Sequence, residues 1–73
     1  MPEQVVKAPM KARVIKFHFQ QGAAVKDQDV VCDLEALKME IPMLAPAAGI
    51  LKKILASPGQ NVQAGEALFA IES

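Results

Sequence analysis

Tryptophan and tyrosine are absent from these 73 residues, and cysteine, histidine and arginine occur once each, as Cys32, His18 and Arg13. A single cysteine excludes an internal disulfide, and with it the stapled frameworks of small secreted domains. A lone histidine leaves no set of ligands from which to assemble a metal site. Eight basic residues balance eight acidic ones, for a formal net charge of zero. That balance argues against a nucleic-acid or anionic-membrane surface, where clustered Lys and Arg displace counterions. No apolar run approaches the roughly 18 residues of a membrane span. The N-terminus lacks the charged-then-apolar pattern of a signal peptide, so a cytoplasmic protein is expected. There is no Ser-His-Asp set and no phosphate loop, so intrinsic catalysis is not expected.

What is present is a compact, apolar composition: 52% hydrophobic and 22% charged residues. Such a chain can bury a core and is not disordered. Residues 1–73 are read as one small domain. A domain of about 60 residues buries only roughly 60% of the surface its unfolded chain exposes, so modest stability is expected.

The chain repeats itself. An offset of 37 residues places Ala8-Pro9 on Ala45-Pro46, Lys16 on Lys53, Gly22 on Gly59, Val25 on Val62 and Glu35 on Glu72. These are six identities over 28 aligned positions, spanning units of about 8–35 and 45–72. Apolar positions match in kind: Val14 with Leu51, Phe17 with Ile54, Cys32 with Phe69, Leu34 with Ile71. Two copies of one unit should fold alike and bury their apolar faces against each other. β-Branched and aromatic residues in short runs, punctuated by Gly and Pro, predict strands. They are expected near 5–8, 12–19, 30–35, 40–44, 49–55 and 67–72, with very short strands at Val25 and Val62. The fold class is all-β, a small flattened barrel or sandwich with pseudo-twofold symmetry.

Functional interest converges on the junction between the units, Glu35-Ala36-Leu37-Lys38-Met39-Glu40. Leu34 ends one apolar strand and Ile41 resumes the next, so the residues between them predict a tight hairpin. With no Gly, Asn or Asp in it, a type I turn is expected. Lys38 would stand at the tip with its ammonium in water. Leu37 and Met39 would flank it, apolar where turns are usually polar. A lysine amine is nucleophilic only when neutral, so a protruding lysine is a poor catalyst. It is a good acceptor for an enzyme that brings an activated carboxyl group and removes the proton in its own site.

These residues resemble the biotinyl domain, the biotin carboxyl carrier module of the biotin/lipoyl attachment family. That family's signature is Glu-Ala-Met-Lys-Met, and Glu35-Ala36-Leu37-Lys38-Met39 departs from it at one position of five. Val30-Val31-Cys32-Asp33-Leu34, Ala45-Pro46, Gly49, Pro58-Gly59, Val62 and Gly65-Glu66 also match, so the resemblance runs from about Val6 to Glu72. It implies a barrel-sandwich hybrid of two four-stranded antiparallel sheets. It implies biotin as the cofactor, joined as an amide to Lys38 by a biotin protein ligase. Glu35, Ala36, Leu37, Met39 and Glu40 would serve ligase recognition. The partners would be a biotin carboxylase, which loads a carboxyl group, and a carboxyltransferase, which removes it. The chain itself would be a non-catalytic carrier that raises effective concentration by tethering. The alternatives are a lipoyl carrier with lipoyl-Lys38 and an unmodified barrel-sandwich adaptor.

Two departures have physical consequences. Leu37 stands for the usual methionine; the volumes are similar, but Met is the more adaptable side chain. Gln28 stands where the family has glycine and where the second unit has Gly65. If that turn needs a positive φ, Gln28 carries about 1–2 kcal/mol of strain. Elsewhere the readings are plain. Cys32 is core, Phe17 and Phe19 are core rather than base-stacking residues, and His18 is a surface histidine. Asp33, Glu35 and Glu40 place carboxylates around the hairpin, for solubility or for docking. The absence of a Pro/Ala-rich linker before Gln4 fits a free-standing carrier or a C-terminal domain, and the first half has no thumb-like insertion.

Overall fold

The computed structural model describes residues 2–73, which form eight strands and no helix. The strands are β1 (Glu3–Lys7), β2 (Ala12–Phe17), β3 (Ala24–Val25), β4 (Val30–Ala36), β5 (Met39–Leu44), β6 (Gly49–Ile54), β7 (Asn61–Val62) and β8 (Ala67–Glu72). No helix among these residues is long and apolar enough to cross a membrane. Every pairing is antiparallel. One sheet runs β1-β8-β6-β3 and the other β5-β4-β2-β7. The expected all-β sandwich is what forms, and each expected strand is found within a residue or two. β1 starts two residues earlier than expected, at Glu3, and β2 stops two earlier, at Phe17; His18 and Phe19 lie in a bend.

The 37-residue offset governs the backbone as well as the sequence. It carries β2 onto β6 and β3 onto β7 residue for residue. Each sheet mixes strands from both units, so the units interlock. The interlocking bonds are reciprocal. Gly22 N–H donates to the Leu51 carbonyl (2.7 Å) and Gly59 N–H to the Val14 carbonyl (2.7 Å). Gln28 N–H donates to Ala45 (2.9 Å) and Gly65 N–H to Ala8 (2.8 Å). Neither unit can complete its backbone hydrogen bonds without the other.

The core lies between the sheets. Val14, Val31, Cys32, Leu34, Leu51, Val62, Leu68, Phe69 and Ile71 are almost fully enclosed. Phe17 of one sheet meets Phe69 of the other edge-on, with ring centroids 6.4 Å apart and planes at 84°, a favoured aromatic geometry. Phe17 and Phe19 are half-buried and pack on this core, as expected.

Gln28 has φ +73°, against +85° at its repeat partner Gly65. The left-handed turn is therefore present, with a side chain where the second unit has none. Gln28→Gly removes a cost of about 1–2 kcal/mol from the folded state and adds about 0.4–1 kcal/mol of unfolded-chain entropy. A net stabilisation of about 0.5–1 kcal/mol is expected, read as a higher midpoint in urea with an unchanged slope.

The chain ends lie far from the repeat junction. Pro2 and Ser73 sit together at one end of the β1–β8 pair, where Ser73 N–H donates to the Pro2 carbonyl (3.1 Å). Residues 8–12 carry the chain from the other end of β1 to the start of β2, a step of at most about 18 Å. There Arg13 lies opposite Glu35, close to the 37–38 turn. Termini and turn therefore occupy opposite ends of a molecule measuring 35 × 18 × 17 Å.

Candidate functional site

β4 and β5 pair in register from Leu34↔Ile41 through Glu35↔Glu40 to Ala36↔Met39, leaving Leu37 and Lys38 as a two-residue turn. Both have positive φ, +53° at Leu37 and +62° at Lys38. This is the φ pair of a type I′ turn, not the type I turn expected from the residue types. The strands decide it: a two-residue connection must match their right-handed twist, and the primed turns do so. Neither residue is suited to this backbone, and each costs about 1–2 kcal/mol there. The signal available in sequence was the spacing, since only two residues separate Ala36 from Met39.

The side chains of the turn lie in solvent. Lys38 is exposed and makes no ion pair among the described residues. Leu37 is 84% exposed and Met39 66%, two large apolar groups on either side of the amine. Ala36 is buried and anchors the base of the hairpin in the core. Glu35 and Glu40 face each other across β4 and β5, like charges that repel at this spacing. Arg13, on the far side of Glu35, answers one of them at 2.8 Å. Both partners are about half exposed, so the pair is worth at most about 1 kcal/mol. Glu40 has no such partner among the described residues.

Asp33 is not part of this exposed set. It is 7% exposed, and its carboxylate meets His18 Nε2 at 2.8 Å. His18 lies at the surface, as expected, but its ring covers Asp33 and satisfies it. No local signal reveals that contact, because the two residues are 15 apart and meet only when β2 pairs with β4. Cys32 is enclosed, as expected, and burial, with Asp33 beside it, pushes its thiol from 9.0 up to about 12. The native thiol should therefore resist alkylation that the unfolded chain undergoes. Between about pH 9 and about pH 12 the unfolded chain loses a proton that the folded one keeps, so folding stability falls with rising pH across that window. A pH series of urea midpoints should show a shallower fall in Cys32→Ala.

No cavity opens among the described residues, and no cluster of His, Cys, Asp and Glu there could hold a metal. Lys38 offers an exposed primary amine at the tip of this turn, with no ion-pair partner among the described residues. The sequence profile of a family described as "Biotin-requiring enzyme" matches residues 4–71. The chain belongs to the biotin/lipoyl attachment family. Within it, the chain is a biotinyl domain.

Its relatives include the biotinylated protein TB7.3 homolog of Mycobacterium leprae, 39% identical over 90% of this chain and 93% of that protein. The biotin carboxyl carrier protein of acetyl-CoA carboxylase from Solanum lycopersicum is also 39% identical, over 92% of this chain and 96% of that one. Other relatives are far longer. The chain spans 6% of a putative urea carboxylase from Emericella nidulans and 10% of a rice methylcrotonoyl-CoA carboxylase subunit. Among solved structures, the urea carboxylase of Kluyveromyces lactis superposes on 99% of the biotinyl domain with a TM-score of 0.91 and 28% identity. The lipoyl domain of an Azotobacter vinelandii 2-oxoglutarate dehydrogenase complex superposes with a TM-score of 0.83 at 29% identity. The shared fold thus admits both attached groups, while the names of the relatives favour biotin.

Proposed function

We infer that Lys38 is the residue to which biotin is joined, and that the domain carries the cofactor between active sites of a biotin-dependent carboxylase. The observation that carries this reading is the unpaired amine on a strained, protruding turn flanked by exposed Leu37 and Met39. Such strain persists only where the surrounding strands impose it, and it is typical of functional positions. Nζ, deprotonated inside a biotin protein ligase, attacks the carbonyl of biotinyl-AMP; the amide forms and AMP leaves. Leu37 and Met39 give that ligase an apolar grip. Glu35 and Glu40 give it a charged one, and Ala36 keeps the hairpin seated beneath them. Attached biotin supplies carriage of a carboxyl group. The protein's part is to hold the arm outward and to keep it near a biotin carboxylase and a carboxyltransferase by tethering. The transfer itself falls to those partners.

Co-expression with a biotin protein ligase tests this. Intact mass should rise by one biotin, and peptide mapping should place it on Lys38. A lipoyl adduct would favour the second reading, to which the Azotobacter lipoyl domain's likeness lends support. An unmodified chain would favour the adaptor.

A further inference from the structure

The two outermost full-length strands, β1 and β5, are equivalent under the repeat, yet only one of them is blocked. On β1, the bond from Ser73 N–H to the Pro2 carbonyl turns Pro2, Gln4 and Val6 toward β8. After the irregularity at Val6/Lys7, Ala8 again faces that way, donating to the Glu66 carbonyl (2.9 Å). The backbone groups of Glu3, Val5 and Lys7 therefore point outward, along an edge with no protein neighbour. The same reasoning turns Glu40, Pro42 and Leu44 outward on β5, where Ala45 N–H bonds to Asp29 (2.8 Å). The 37-residue offset places Pro42 on Val5 and Leu44 on Lys7. Proline at an outward position removes the N–H that a new strand would use, a common protection of exposed edges. β5 has that protection and β1 does not.

β1 also carries a self-complementary pattern. Laid antiparallel on a copy of itself about Val5, it brings Glu3 opposite Lys7 of the copy, twice, with Val5 facing Val5. These are the three residues whose backbone groups point outward. They share one side-chain face, since alternate residues of a strand do. Lys7 forms no ion pair among the described residues, Glu3 reaches only Lys53, at 3.7 Å, a long contact that a closer Lys7 would compete with, and Val5 is 45% exposed. The same operation on β5 would set Glu40 against Leu44 and proline against proline.

We propose that a second copy of this chain docks on the β1 edge, in an isologous dimer centred on Val5 that joins two four-stranded sheets into one of eight. The contact supplies backbone bonds through Glu3, Val5 and Lys7 and two Glu3–Lys7 ion pairs. It is small, so the dimer is weak. Lys38 stands on the other sheet and stays free in both copies.

Sedimentation velocity on the whole chain, from about 10 µM to about 1 mM, spans the range a contact of this size reaches. The wild type should shift from monomer to dimer, and less so at high salt. Val5→Pro, which gives β1 the block that β5 already has, should remain a monomer. Glu3→Lys and Lys7→Glu should each weaken self-association about tenfold or more, because each sets like charges against each other twice. Mixed together they should form a heterodimer, since both ion pairs are then restored, and adding Val5→Pro to either partner should abolish it. The mixing experiment stands even if the proline variant fails to fold. A wild type that stays monomeric throughout, or a mixture that associates no better than its components, overturns the proposal.

Discussion

Lys38→Arg leaves no biotin on the chain when it is co-expressed with a biotin protein ligase, and a streptavidin blot that reads strongly for the wild type reads blank. The substitution keeps the positive charge and the exposed position on the turn. It removes the chemistry, because a guanidinium is not deprotonated in a protein and cannot act as the acceptor amine. Six other lysines remain as internal controls. Lys52 and Lys53 are engaged with Glu72 and Glu3 (3.8 and 3.7 Å), and none of the six sits on a left-handed turn. Residual label would place the acceptor on one of them and remove Lys38 from the site. Stability should change by no more than about 0.5 kcal/mol, as for other surface substitutions, so an unfolded variant cannot account for the loss. Thermal melting of the same two samples checks that point.

Phe69→Ala should have the largest effect on folding. Phe69 is fully enclosed on β8 and meets Phe17 across the core. Truncating a buried phenylalanine costs about 3–5 kcal/mol. A chain of this length has a total stability of only about 4–11 kcal/mol, at roughly 0.05–0.15 kcal/mol per residue. The variant should therefore lose much of its margin, with a urea midpoint lowered by about half or more. Phe69→Leu keeps most of the volume and should recover over half of the loss. If Phe69→Ala melts like the wild type, the two sheets are not held together through this ring.

The repeat is what made the fold legible. Matching Cys32 with Phe69 and Leu34 with Ile71 identified inward-facing positions on two strands at once, and all four are enclosed. The position of Lys38 at the junction was equally open to inspection, because apolar strands end and resume on either side of it. The turn's handedness was not legible from residue types. Leu37 and Lys38 have no preference for positive φ, and they adopt it because the paired strands leave only two residues to close the gap. The His18–Asp33 contact was hidden for a related reason: it depends on how β2 lies on β4, which no local pattern states. Gln28 was the intermediate case. A side chain where its repeat partner has glycine raised the left-handed backbone as a condition, and φ +73° meets it.

Because the two chain ends lie at the opposite pole from Lys38, the domain works mechanically as a lever. Any covalent tether would enter at one pole, and a group joined to Lys38 would ride at the other, up to 35 Å away. A small swivel at the tether would then sweep the amine through a longer arc than it sweeps the residues near the tether. Reach is thus built into the shape of the protein before the length of the lysine stem is added.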